Sequence, residues 1–149
     1  ENDYVKKLKE YAEKEQAKVI TVSAKIESEL SELNDEDKNE MLKDLGIDQS
    51  GLDKLIEATY SLLGLKTYFT CGPQEVKAWT YKDGMNAKEC AGIIHSDFEK
   101  GFIKAEVIAY KDLIEYGDET KVKENGKFRI EGKEYLMQDG DICHFRFNL

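Results

Sequence analysis

The hydrophobic period changes at Leu65, and that change constrains the fold more than any other feature of the chain. Up to Gly64 apolar residues recur every three to four positions, the spacing of helices packed by one face. From Leu65 onward they mostly alternate, the spacing of strands. A chain that switches once between the two periods is expected to fold as an α+β protein, helices first and a sheet after.

In the first part, Tyr4, Leu8, Tyr11 and Ala12 predict an amphipathic helix over 4–16, with lysines on its other side. The β-branched run 19–22 predicts a buried strand, ended by the loop Ser23-Ala24-Lys25. Ile26, Leu30 and Leu33 restart a helix. Asn34 is placed to cap the next one, with Asp35, Glu36 and Asp37 in the first turn, where the helix dipole favours negative charge. Met41, Leu42 and Leu45 form its apolar side and Gly46 stops it. Ser50-Gly51-Leu52-Asp53 has the form of a capping box. Leu52, Leu55, Ile56, Tyr60 and Leu63 give the last helix its face before Gly64.

In the second part, 67–71 and 76–81 read as two strands of a hairpin, punctuated by Gly72-Pro73 and ended at Asp83-Gly84. Asn86 caps a helix carrying Ala87, Cys90, Ala91 and Ile94. The segment 101–110 is a strand with Ile103, Ala105 and Val107 on one face and Lys104 and Glu106 on the other. A short helix follows around 112–116, then strands near 128–130, 135–137 and 142–147 around the Asp139-Gly140 turn. One helix laid across such a mixed sheet is the β-grasp, or ubiquitin-like, arrangement.

The chain has 149 residues, enough for one ordinary domain or two small ones, and 40% of them are hydrophobic. No run of 18 apolar residues exists, so no membrane-spanning helix is expected. Net charge is −9, but residues 1–64 hold nine lysines against sixteen carboxylates, while residues 65–149 hold thirteen basic residues against fifteen. The first part repels nucleic acid; the second leaves room for a local basic patch.

Cys71, Cys90 and Cys143 are odd in number and far apart, which points to reduced thiols rather than a disulfide framework or a zinc site. His95, Ser96 and Asp97 are spaced for a structural turn rather than for nucleophilic catalysis, and Asp139-Gly140-Asp141 for turn chemistry rather than for a metal. No catalytic residue and no metal ligand is expected. Glu1-Asn2-Asp3 is neither a signal peptide nor a start methionine, and a cut inside a longer protein is the expectation.

Four stretches carry a family resemblance: "KTYFTC" with "EVKAWTY" (66–71, 75–81), "IHSDFEKGFIKAEVI" (94–108) and "QDGDICHFRFN" (138–148). They resemble the C-terminal part of the Obg-like ATPases, the YchF (EngD) group of P-loop GTPase relatives. The resemblance covers essentially the whole chain. It implies a TGS domain of β-grasp fold over 65–149. It also implies that 1–64 is the mainly helical end of an α/β P-loop nucleotide-binding domain, and that the "FRFN" tail ends the natural protein at Leu149.

The resemblance further implies an ATP- or GTP-hydrolysing parent, with ATP (or GTP) and magnesium as cofactors of the intact protein and none in this chain. No G-x-x-x-x-G-K-[ST] phosphate loop occurs in these 149 residues. "VSAKIE" matches the family's last base-contacting loop, so Ser23, Ala24 and Lys25 are the expected nucleotide base-binding residues. The implied partners are the ribosome or RNA and the remainder of the nucleotide-binding domain, with no membrane and a cytoplasmic location. If the apolar sets of the strands face the single helix, the open sheet face gathers Lys77, Trp79, Tyr81, Lys104, His144 and Arg146. Cations interleaved with exposed rings suit RNA. A ubiquitin-like module docking a protein partner, without nucleic acid, is the alternative.

Overall fold

The computed structural model describes residues 2–72 and 75–148 and divides into two compact units, Glu1–Leu62 and Leu63–Leu149. Glu1, Leu149 and Pro73, on which the expected cut, terminus and loop punctuation fall, lie outside the described residues.

The first unit is helical: α1 (Asp3–Lys14), α2 (Ala24–Ser31), α3 (Asp35–Asp44) and α4 (Gly51–Leu63). The polar residues placed at their starts do what their chemistry favours. Asn34 Oδ1 accepts the Asp37 N–H at 3.0 Å, and Ser50 Oγ accepts the Asp53 N–H at 3.1 Å. Glu27 joins two helices, its carboxylate accepting the Gly51 N–H of α4 at 2.7 Å. The expected strand at 19–22 does not form. These residues are irregular, and Val22 is 50% exposed. A strand exists only by pairing, and this unit holds no other strand among its described residues.

The second unit is a five-stranded mixed sheet of order β2-β1-β5-β3-β4: β1 (Leu65–Cys71), β2 (Val76–Lys82), β3 (Phe102–Ala109), β4 (Arg129–Glu131) and β5 (Asp141–Phe147). β1 and β5 run parallel, and every other pair is antiparallel. α5 (Ala87–Ile94) buries Ala87, Cys90 and Ala91, small side chains that let it sit close on one sheet face. Asn86 and Glu89 complete a capping box at its start. This is the expected α+β, β-grasp arrangement, and its core joins Tyr68, Tyr81, Val107, Met137, Cys143 and Phe145. Burial pushes the Cys90 thiol up to about 12, with Glu89 adding to it, and raises Cys143 as well, so both are inert packing groups.

Three local features depart from the sequence expectation. A bulge between Phe102 and Lys104 adds a residue to β3. It turns Phe102 toward the core and leaves Ile103 58% exposed, so Ile103 does not join Ala105 and Val107 inside. Residues 135–137 form no strand: Leu136 makes a single bridge to Asn86, and the Met137 N–H donates to the Met85 carbonyl at 3.1 Å. Besides the expected short helix, found as α7 (Tyr110–Tyr116), two more form, α6 (Ser96–Lys100) and α8 (Glu119–Glu124). They are five and six residues long, too short to show a period.

Candidate nucleic-acid interface

The sheet face away from α5 is built by strand alternation. In β5, Cys143 and Phe145 point to the core, so His144 and Arg146 are exposed on the other side. In β3, Lys104 and Glu106 stand opposite Arg146 and His144. Arg146 grips the Glu106 carboxylate with two bonds of 3.2 and 3.0 Å, and Lys104 Nζ lies 3.6 Å from it. The Arg146 hydrogen bond, together with the Arg146 and Lys104 charges, holds Glu106 below the usual carboxylate range. Three of the expected residues, Lys104, His144 and Arg146, are therefore together, with one carboxylate between two cations.

Lys77, Trp79 and Tyr81 do not share that face. Cross-strand partners project to the same side of a sheet. Tyr68 is fully buried under α5 and pairs with Trp79, which fixes Trp79 and its alternating neighbours on the helix side. Tyr81 is 2% exposed and donates its hydroxyl to the Met137 carbonyl at 2.9 Å, so it is a core residue and cannot meet a partner. Trp79 is half-buried. Its Nε1–H donates to Thr70 Oγ1 at 2.9 Å, and Lys77 Nζ sits 4.0 Å over its ring. The sequence misplaced these residues because Val76 and Ala78, apolar and apparently inward, are the exposed set.

The geometry reunites Trp79 with His144 by another route. β1 and β5 pair only at Phe69–Ile142 and Thr70–Cys143. Beyond that point β5 continues to Phe147 beside β3 while β1 ends at Cys71, and a cleft of about 500 Å³ opens between them. Trp79, Ile94, Phe98, Phe145, Phe147 and His144 are among its walls. Phe98 stacks on Phe147 at 3.9 Å between ring centroids. Alternation alone could not reveal this slot, because Phe98 stands on the short α6.

The rest of the "HSDFEK" and "DGD" motifs is structural. His95 Nδ1 accepts the Asp97 N–H at 3.2 Å. Asp139 accepts the Thr67 N–H at 2.8 Å. Asp141, 1% exposed, accepts from Arg129 at 3.0 Å, from the Tyr135 hydroxyl at 2.8 Å and from the Gln138 N–H at 3.0 Å. No cluster of three metal-ligating side chains occurs among the described residues.

In the first unit, Ser23, Ala24 and Lys25 open α2. Ser23 is the N-cap, its Oγ 3.5 Å from the Ile26 N–H, and Lys25 lies 3.9 Å from Glu29. All three are exposed. Thr21, Ser23, Glu27, Ile47 and Ser50 are among the residues lining a cavity of about 340 Å³ beside them.

The family model YchF-GTPase_C, described as a protein of unknown function (DUF933), matches residues 65–148. The "Ribosome-binding ATPase YchF" of Bacillus subtilis (strain 168) is 63% identical over 148 residues, which is 99% of this chain and 40% of that protein. The protein of the same name from Escherichia coli O157:H7 is 47% identical over 99% of this chain and 41% of its own length. The solved structure of the Schizosaccharomyces pombe YchF GTPase superposes with a TM-score of 0.82 at 38% identity, over 98% of this chain and 39% of that one. The chain thus spans about 40% of the length of these relatives. With a family model matched across its whole β-grasp unit, the chain belongs to the YchF family.

Proposed function

We propose that this chain is the C-terminal part of a YchF-type protein that binds and hydrolyses ATP or GTP with magnesium, and that its β-grasp unit is a TGS domain contacting the ribosome or RNA. Relatives named ribosome-binding ATPase support the partner. In this reading residues 1–64 complete a nucleotide-binding domain, with Ser23, Ala24 and Lys25 at the base. The phosphate-holding and hydrolytic groups belong to sequence not included in these 149 residues, so the chain alone does not turn over nucleotide. In this reading the location is cytoplasmic. Among the described residues no helix is long and apolar enough to cross a membrane.

One observation carries the RNA reading: the aromatic slot of Trp79, Phe98 and Phe147 has Lys77 over the Trp79 ring and His144 in its wall, while Arg146 and Lys104 stand with His144 on the open sheet face. Rings stack on unpaired bases and cations meet phosphate. The test is binding of the chain, and of the longer protein, to ribosomes and to single-stranded RNA across a salt series. A Lys104→Glu, Arg146→Glu double variant should weaken binding and flatten the salt slope by about one unit for each phosphate no longer neutralised. Trp79→Ala should weaken it with little change of slope. Unchanged binding by folded variants would refute the site.

A second reading has its own observation. Val76 is 72% exposed and Ile130 62%, and register places both on the open face with His144. Apolar side chains there suit a protein partner docked in the ubiquitin manner. Binding that ignores salt but fails in Ile130→Asp would favour it.

A further inference from the structure

Most cations of the β-grasp unit already have a carboxylate. Arg146 and Lys104 share Glu106, Lys100 meets Asp97, Lys121 meets Asp118, and Lys123 meets Glu119. Lys111 and Lys127 are exceptions, exposed and with no ion pair among the described residues. They come from separate segments, one from the start of α7 and one from the turn after α8, yet both line the same cleft of about 800 Å³. Lys66 and Arg129 line it as well, and Tyr110, 51% exposed, stands in its wall.

We propose that this cleft binds a compact oligophosphate, either free or as the phosphate tail of a nucleotide, held by Lys111, Lys127 and Lys66. The site is separate from the aromatic slot and does not depend on the function proposed above. Lysine ammonium groups act on phosphate as mobile point charges, and three of them on three chain segments suit adjacent phosphates better than a single one. An RNA backbone, whose charges are spread along a strand, fits a groove or stripe better than this cleft.

The acidic groups in the cleft are Asp112, Asp139 and Asp141. Asp141 is neutralised by Arg129, whose guanidinium is 3.0 Å away; Asp139 accepts the Thr67 N–H and keeps its charge, and Asp112 has no ion pair among the described residues, so these two carboxylates oppose the lysines. Lys66 reaches Asp83 at 2.7 Å, so it would be shared between that carboxylate and the ligand. In a chain of net charge −9, an anion would be retained here only by local convergence of cations.

The test is calorimetric titration of the whole chain with inorganic triphosphate at low ionic strength. Wild type should bind. Lys111→Gln, Lys127→Gln should weaken binding by about tenfold or more, which is at least 1.4 kcal/mol. Lys82→Gln, Lys88→Gln removes two other lysines without ion pairs among the described residues and outside the cleft. It should stay within about twofold of wild type if the site is local. A thermal melt confirms that both variants fold. ATP arms then identify the source: tighter binding than triphosphate, lost in Tyr110→Ala, marks a nucleotide, and equal binding marks a bare phosphate chain. No binding by wild type, or equal weakening in both lysine pairs, would overturn the proposal. Binding of an oligoribonucleotide but not triphosphate, lost in Lys111→Gln, Lys127→Gln, would overturn it in favour of an RNA backbone.

Discussion

The two units bury very different cores. Among the described residues, the second unit holds twelve buried apolar side chains and the first holds only Ala12 and Leu30. The first unit instead exposes ten large apolar side chains among its described residues, including Tyr4, Leu8 and Tyr11 along α1 and Leu52, Leu55 and Ile56 on α4. Local signals do not explain the contrast, because caps and dipole-matched charges are present in both. The difference is closure. The β-grasp sheet has a helix to cover one face, whereas the helices of the first unit display amphipathic faces that nothing among the described residues fills. Helix caps stabilise by about 1 kcal/mol each, but a cooperative unit needs buried apolar area.

The comparison is open to direct attack, starting with the largest effect. Phe145→Ala removes a ring that meets both Tyr68 and Phe102 and should cost about 3–5 kcal/mol in the second unit. Leu30→Ala in the first unit should cost no more than about 2.7 kcal/mol, the low end for leucine truncation. Urea unfolding read by the single tryptophan, Trp79, and by helical circular dichroism separates the two. Next, Asp141→Ala leaves Arg129 and Tyr135 without their shared acceptor and should cost about 3 kcal/mol.

A pair of glycines sharpens the contrast at lower cost. A Cβ on Gly101 would fall 2.1 Å from the Asn148 carbonyl oxygen, a backbone atom, so Gly101→Ala should cost about 1–3 kcal/mol. On Gly51 the obstacles are side-chain atoms of Val22 and Glu27, which give more readily than backbone but only by disturbing the Glu27 bond to the Gly51 N–H, so Gly51→Ala should cost less than Gly101→Ala. Melting temperatures of the two variants test this.

The smallest effect is on pH. Glu106 is held below its ordinary value of 4.5 in the folded state, chiefly by Arg146. Its stabilisation is complete above 4.5 and is lost as pH falls through the lowered folded value. The second unit should therefore lose stability on that acid limb, and Arg146→Gln should shrink the loss. An acid limb unchanged in Arg146→Gln would contradict the coupling.

Much of this was legible in the sequence, and what was not has physical causes. Period and capping residues announced α1 to α5, α7, the hairpin and the β-grasp order, because those signals are local, whereas α6 and α8 were too short to show a period. The strand at 19–22 failed because strand formation is a property of pairs, and its β-branched residues could not report whether a neighbour exists. In β2 the alternation was legible but its phase was not. Val76 and Ala78 against Trp79 and Tyr81 is an ambiguous choice until Tyr68 fixes the buried side. Lys104, His144 and Arg146 were legible as one face because β5 alternates cleanly and so does β3 beyond its bulge. The aromatic slot was not, since it arises from where β1 stops relative to β5.

The β-grasp unit carries its own cooperative core, while the first unit is held mainly by local structure. Amide hydrogen exchange of the whole chain under native conditions tests it most directly. The amides of Tyr68, Val107 and Phe145 should exchange only through global unfolding, while those of 19–22 and of α1 should exchange orders of magnitude faster, through local opening. Equal protection of 19–22 and of the sheet core in a dilute monomer would contradict it.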